Sequence, residues 1–440
     1  MRRIIIVMII PTLLPVYLAA QEKILYNWAV FDTSYTAYDL SQIPDLRMAD
    51  SLNPKSALWL PLTEIIGLNL TLGAFNRYVA GSEFSKISWE TIGHNFKNGF
   101  GWDADKFSTN MFEHPFHGSI YYNFARSNGY TYWESMAMAA VGSWQWEFFM
   151  ENEPPAYNDW IQTTLGGSML GEMFYRMSSY IIDESSSGSE RTWRELGTIF
   201  NPGRLFNRLI HGRTSRHTDA LIYEKEPRTG TLTLGTNNVA DGLDFDRGTS
   251  NLQFTFEYTY GKPFIKKRRK PFDFFRLNIG INFWEQDFIG FVYAYGLIAG
   301  KNLIFRKKHR FLIGLFHHFD YLSNKIYKIG ASSIGGGILH KFPIVKDEEL
   351  VTSMHVNVIL MGGANSVYAT EFKYAPLDSA RNYNMGMGMS GKLEAFLKLD
   401  WGTMYIGYLL YWIHTMQGAP GNEFIGILKP RVTVYLSRFG

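Results

Sequence analysis

From about Thr231 to the C-terminus, apolar residues recur at every second position, the period of a strand with one apolar and one polar face. Leu252, Phe254, Phe256 and Tyr258 alternate with Gln253, Thr255, Glu257 and Thr259. Phe275, Leu277, Ile279, Ile281 and Phe283 alternate with Arg276, Asn278, Gly280 and Asn282. Met354, Val356, Val358 and Leu360 alternate with Ser353, His355 and Asn357. Leu393, Ala395, Leu397 and Leu399 alternate with Lys392, Glu394 and Lys398, and Phe396 is the one exception. Ten such strands centre near residues 234, 255, 278, 294, 314, 333, 356, 392, 408 and 431. A soluble sandwich alternates as well. Here the repeats have barrel length, the polar face carries charges and glycines, and the chain ends in an alternating strand of Val432, Val434 and Leu436, with Phe439 close behind. The pattern predicts an antiparallel transmembrane β-barrel of about ten strands over 231–440.

With both ends of such a barrel periplasmic, the segments 400–402, 346–349 and 307–310 become periplasmic turns, and 417–422 and 362–381 become extracellular loops. The basic run Lys266-Lys267-Arg268-Arg269-Lys270 then falls in a long periplasmic turn, as a solvated charge run or a contact for anionic lipid headgroups. Arg276, Glu257, Lys392, Glu394 and Lys398 face the lumen, where pairing among them closes the pore to bulk flow. Gly335-Gly336-Gly337 lies in a strand and follows no strand-to-helix pattern. It leaves lumen space or permits a bend rather than cradling phosphate.

Before the barrel the period lengthens. Apolar or helix-forming stretches at 56–79, 132–150 and 159–182 predict helices, the last opened by Asn158-Asp159 as N-cap after Pro154-Pro155. Residues 183–189 read as a linker and 22–50 as a poorly ordered lead-in. The expected order is a signal peptide over 1–20, a lead-in over 21–53, an all-helical domain over 54–212, a connector over 213–230 and the barrel. The fold class is α+β, in a membrane protein.

The signal peptide rests on Arg2 and Arg3, an apolar stretch from Ile4 to Leu18 and small residues before Gln21. The chain has no cysteine, which excludes disulfides and acylation on cysteine. An exported chain of this kind depends on hydrogen bonding and core, which a closed barrel supplies. The 26 Tyr, 33 Phe and 12 Trp suit membrane interfaces. A net charge of +3 argues for no nucleic-acid partner. Outer-membrane lipids are the expected partners.

Any chemistry lies in the helical half, where polar residues interrupt apolar helices. Glu147 and Glu151 are four apart, and Glu172 and Arg176 are spaced to pair. Gly167 and Gly171 allow close helix approach. The candidate catalytic residues are His114, His117, Glu147, Asp159 and Glu172. Candidate binding residues are Trp102, Asp103, Asn110, Arg126, Trp146, Glu151, Asn158 and Arg176. Three readings stay open: structural pairing of buried polar groups, a His/carboxylate metal site, and a hydrolase or transferase with a carboxylate base and histidine partner. The spacing matches no metal motif, since Pro115 argues against a helix carrying both histidines. The segments around Ser143 and Ser168 lack a nucleophile elbow. The sequence leaves any cofactor unknown.

Asn110, His114-Pro115-Phe116-His117-Gly118, Tyr121-Tyr122, Ala125-Arg126 and Asn128-Gly129 form one recognisable set. It continues with Gly142-Ser143, Trp146-Glu147, Glu151, Asn158-Asp159, Thr164, Gly166-Gly167 and Gly171-Glu172. This set resembles the bacterial outer-membrane family called domain of unknown function 3943, and its Glu, Asn-Asp and spaced glycines are loosely similar to VanZ-like membrane proteins. The resemblance implies an envelope location and brings no known reaction. The expected function is an outer-membrane barrel protein whose helical domain, capping the periplasmic mouth or lying against the inner leaflet, handles a lipid or glycolipid. An envelope hydrolase or transferase and a narrow transport channel are the alternatives.

Overall fold

The computed structural model describes residues 54–103, 105–218, 226–239, 249–265, 270–283, 287–305, 309–344, 349–365 and 383–434. The expected signal peptide and lead-in fall outside them. So do most of the 266–270 basic run, positions 307–308 and 346–348 of the two expected turns, most of the 362–381 loop, and Phe439; His309, Arg310 and Glu349 already belong to strands. The chain divides into two compact units that part between Lys225 and Glu226.

The first unit is helical: α1 (Trp59–Phe75), α2 (Trp89–Asn98), α3 (His114–Ser127), α4 (Tyr132–Phe149), α5 (Tyr157–Ile181), α6 (Gly188–Leu196) and α7 (Pro202–Ile210). Single π turns follow α1 and precede α3. Thr131 and Glu134 form a capping box at the start of α4, satisfying two orphan N–H groups reciprocally. Ser88 and Thr91 do the same for α2. Pro115 sits in the first turn of α3, where its missing N–H would have had no helical partner. The expectation that it keeps His114 and His117 off one helix is therefore corrected. Asn158 and Asp159 lie inside the first turn of α5 and neither caps it, because both side chains are drawn sideways into other contacts. The expected linker ends early, since Gly188 and Ser189 already belong to α6. Among the described residues no helix is long and apolar enough to cross a membrane.

The second unit is a sheet of ten strands in sequence order, each antiparallel to the next: β1 (Arg228–Val239), β2 (Thr249–Tyr260), β3 (Phe275–Asn282), β4 (Ile289–Phe305), β5 (His309–Ser323), β6 (Lys328–Pro343), β7 (Glu349–Asn365), β8 (Asn384–Leu399), β9 (Gly402–Gln417) and β10 (Asn422–Val434). Every strand centre expected from the period of two falls inside one of these. Bulges interrupt the ladders at five places, and each adds local twist. The sheet curls. On one face, side chains of distant strands meet: Lys392 of β8 is 2.6 Å from Asp320 of β5, Lys429 of β10 lies 3.6 Å from the Tyr293 ring centre of β4, and Arg431 of β10 pairs with Glu257 of β2. Among the described residues β1 and β10 share no ladder, and Pro430 on β10 suits such an edge.

Polarity across the sheet is inverted relative to a water-soluble protein. On the concave face His318, Asp320, His355, Asn357 and Lys392 are buried, beside apolar clusters that include Leu312, Phe316, Leu409, Ile413, Ile425 and Ile427. On the convex face Met354, Val356, Val358, Met404, Ile406, Leu410, Phe424 and Val432 are exposed. Gly335 and Gly337 of β6 make room inside, for a Cβ there would press on Asn357 and on His355. Four of the five expected lumen charges face inward; Arg276 and Glu394 attract one another as expected, and the other partners come from outside the expected set. Lys392 finds Asp320, Glu257 finds Arg431, and Glu394 accepts from Ser353 and Tyr405. Lys398 is exposed, and local spacing could not have shown which residues lie across the curl.

Candidate functional site

The site is built by two helix starts that glycine brings together. A Cβ on Gly118 would lie 1.8 Å from the Thr163 carbonyl oxygen, and one on Gly167 would lie 2.6 Å from Gly118 Cα. At this crossing α3 and α5 therefore touch backbone to backbone. Gly171 extends the contact by lying against the Tyr122 ring. The closeness carries His114, in the first turn of α3, to Asp159, in the first turn of α5, with Nε2 3.4 Å from Oδ1.

Around this pair the side chains are held from several elements. Asn158 accepts from the Asp103 N–H (3.0 Å) and donates to Asn110 Oδ1 (2.9 Å) and Asp159 Oδ1 (2.6 Å). Glu147 accepts from the Ala156 N–H at 2.9 Å, so one carboxyl joins the end of α4 to the start of α5. Glu151 accepts from Trp146 Nε1 at 2.6 Å, and Asn95 of α2 donates to the Glu151 carbonyl at 2.9 Å. His117 packs against Tyr121 and edge-on to Trp146 at ring distances of 4.5 and 5.3 Å. Tyr121 donates to Asn69 of α1. Among the described residues the buried Nε2 atoms of His114 and His117 find no hydrogen-bond partner.

Burial sets the charges. It pushes the carboxyls of Glu147 and Asp159 well above the carboxylate range, reinforced by Glu151 beside the first and Glu147 beside the second. Burial, with neighbouring acids, pushes Glu151 up to about 8 and Asp105 up to about 6. It also pushes His114 down to about 4 and His117 down to about 3. Neutral imidazoles therefore stand beside proton-holding carboxyls at neutral pH, a combination suited to proton transfer.

Glu172 lies in a different environment. It accepts from Arg126 Nε and Arg176 Nε, each at 2.8 Å, and from the Tyr122 hydroxyl at 2.7 Å. Burial alone would raise its pKa, but the two guanidiniums outweigh it and hold the group down at about 2. Glu184 is likewise held low, by Arg216 and Arg208. Within one unit, then, Glu172 and Glu184 are paired with arginines, whereas Glu64 is buried against His211, Asn207 and Asn128 and is raised by burial. Glu147, Glu151 and Asp159 have no arginine or lysine partner among the described residues. Perturbed acids lacking such compensation mark functional sites more than structural ones.

Of the residues singled out from sequence, His114, His117, Glu147, Asp159, Asp103, Asn110, Trp146, Glu151 and Asn158 gather here, and Trp102 stands at the edge beside Tyr157. Glu172, Arg126 and Arg176 form the separate ion cluster. Asn95 and Gln162, which donates to the Met111 sulfur, were missed, since a lone amide in a helix gives no signal by spacing. So was the Glu64 cluster, where His211, Asn207 and Asn128 each lie 2.8 Å from the carboxylate. Among the described residues no three His, Asp or Glu side chains converge as metal ligands would.

Residues 99–202 match the family model described as Domain of unknown function (DUF3943), a span that contains His114, His117, Glu147, Glu151 and Asp159 but neither Asn69 nor Asn95. No curated protein and no solved structure matches the chain.

Proposed function

We propose that this chain, whose residues 99–202 are a DUF3943 domain, is an integral outer-membrane β-barrel protein whose helical domain handles a lipid or glycolipid of the cell envelope. The inverted polarity of the sheet carries this reading. Exposed Val, Ile, Met and Phe on a convex face, over a concave face that buries His, Asn, Asp and Lys among apolar clusters, suits a hydrocarbon surround. In water such a surface would be an aggregation liability. Strands β4 to β9 have 15 to 17 residues each, more than the roughly ten that a tilted strand needs to span a bilayer.

The test is fractionation of cells expressing the full chain. Recovery in the outer membrane, resistant to alkaline urea and released by detergent, is the expected result. Release by urea as a soluble protein would overturn the reading.

The His114–Asp159 contact favours a refinement, that the domain performs acid–base chemistry on its envelope ligand. His114→Ala and Asp159→Asn would then each alter the envelope lipid profile seen by mass spectrometry, while the folded protein stays in the membrane. A profile unchanged by both leaves binding alone. The concave face, crossed by side-chain pairs from β2 to β10 and β5 to β8, gives the channel alternative no support.

A further inference from the structure

The helical unit repeats the sheet's inversion. In α1, Glu64 and Asn69 are buried while Ile66, Leu70 and Phe75 are exposed; in α7, Arg204, Asn207 and Arg208 are buried while Phe206, Leu209 and Ile210 are exposed. Apolar exposure on this scale marks a surface that meets something other than water.

One stretch of that surface adjoins the candidate site. Phe96 of α2 meets Trp144 and Phe148 of α4 at ring distances of 6.2 and 4.7 Å. Phe100 meets Phe148 at 5.4 Å and Tyr157 at 5.1 Å. Phe96, Trp144 and Tyr157 remain 51%, 38% and 45% exposed. Phe148 follows Glu147, and Tyr157 precedes Asn158-Asp159, so the aromatic surface ends where the acids begin.

The geometry discriminates among occupants. Phe96 lies at 71° to Trp144 and 43° to Phe148, while Phe100 and Tyr157 stack at 25°, so the rings form a mixed aromatic surface rather than one flat platform. Tilted Trp, Tyr and Phe side chains suit the boundary between headgroups and acyl chains. Tyr78 and Trp89, exposed on the π turn after α1 and at the start of α2, extend the aromatic set. From the π turn to the end of α2, Arg77, Lys86 and Lys97 are exposed against Glu83 and Glu90, a small positive excess that anionic headgroups would favour.

We infer that this aromatic surface seats the helical unit on a phospholipid leaflet, with lipid headgroups at the edge of the His114–Asp159 site. The inference rests on the reading of the chain as an outer-membrane protein and names the substrate class of the same site: membrane lipids, taken from the leaflet.

The absence of cysteine makes a clean test available in the full chain. Single variants Phe96→Cys and Trp144→Cys, with Val356→Cys on the convex sheet face and Ser187→Cys on an exposed polar loop, carry an environment-sensitive fluorophore. Each is reconstituted into phosphatidylethanolamine–phosphatidylglycerol vesicles with and without acyl-chain nitroxide lipid. The expected result is a blue shift and loss of most emission to the nitroxide at 96, 144 and 356, with neither at 187. Quenching at 356 without quenching at 96 and 144 would sink the docking proposal and leave the barrel reading standing. Quenching at none of them would sink both. A blue shift at 96 and 144 that persists in lipid-free amphipol and grows with protein concentration would assign the surface to a second copy, also overturning the proposal.

Discussion

Removing the Glu172 carboxylate tests whether the arginine cluster is structural, and its size can be worked out in advance. Glu172→Ala leaves the Arg126 and Arg176 guanidiniums and the Tyr122 hydroxyl without their shared acceptor. Breaking a buried ion pair costs about 3–5 kcal/mol, because the stranded charge stays desolvated. Arg176 keeps only 6% of its side chain exposed, whereas Arg126 keeps 19% and recovers some solvation. The lower end, about 3 kcal/mol, is therefore expected, which corresponds to roughly 6–12 °C in melting temperature for a domain of this size. Glu172→Gln, which keeps the shape and one acceptor oxygen, should fall between the variant and the parent. Amide hydrogen exchange on the full chain in detergent reads α3 and α5 separately from the sheet. Faster exchange there, in the order Ala then Gln, is the expected outcome. The same carboxylate, held down at about 2, contributes stability above the ordinary carboxyl pKa and loses it as pH falls toward 2. If Glu172→Ala exchanges like the parent at neutral pH, the cluster does not hold the helices together and the argument fails.

Other outcomes follow from the same physics. Glu151, pushed up to about 8, keeps in the folded state a proton that the unfolded chain gives up, so helical-unit stability should fall as pH rises toward 8. His114 and His117, pushed down to about 4 and 3, act only below their ordinary range. Glu147 and Asp159, raised further by burial, add slope of the same sign. Between about pH 6.5 and 8, Glu151→Gln should therefore reduce the slope in denaturant titrations by up to about 1.4 kcal/mol per pH unit, and an unchanged slope would contradict the assignment. Gly167→Ala should destabilise the unit by about 1–3 kcal/mol, since the new Cβ meets Gly118 backbone that cannot yield, and equal or higher helical stability in hydrogen exchange would refute that crossing. Val356→Arg on the convex face should cost about 2–4 kcal/mol if the site lies at mid-bilayer, visible as a lower assembled fraction in lipid, whereas an arginine tolerated as well as Val356→Leu would place that face in water.

Much of the sheet was legible because its polarity alternates strictly. Met354, Val356 and Val358 against Ser353, His355 and Asn357 give strand and face at once. Glu172–Arg176 was legible for the same kind of reason, a fixed spacing of four. What spacing could not show was partnership across the fold. Nothing local ties Lys392 to Asp320, Arg431 to Glu257 or Arg126 to Glu172. Pro115 misled because a rule about helix interiors was applied to a residue in a first turn. Asn158 and Asp159 misled because capping residues are also hydrogen-bonding residues, and tertiary partners claimed them. The convergence of His114, Asp159, Glu147 and Glu151 depended on Gly118 meeting Gly167, and only the pair reveals the crossing.

The Arg431–Glu257 bond has a consequence for assembly. Its partners are separated by 174 positions, and one lies on the second strand while the other lies on the last. Every intermediate hairpin can zip locally to its neighbour, but this contact must wait until the tenth strand has arrived. It is formed late, so a chain truncated before β10 or stalled in translocation would present Glu257 uncompensated. The ion pair thus reports completion, separating a finished sheet from one still being built.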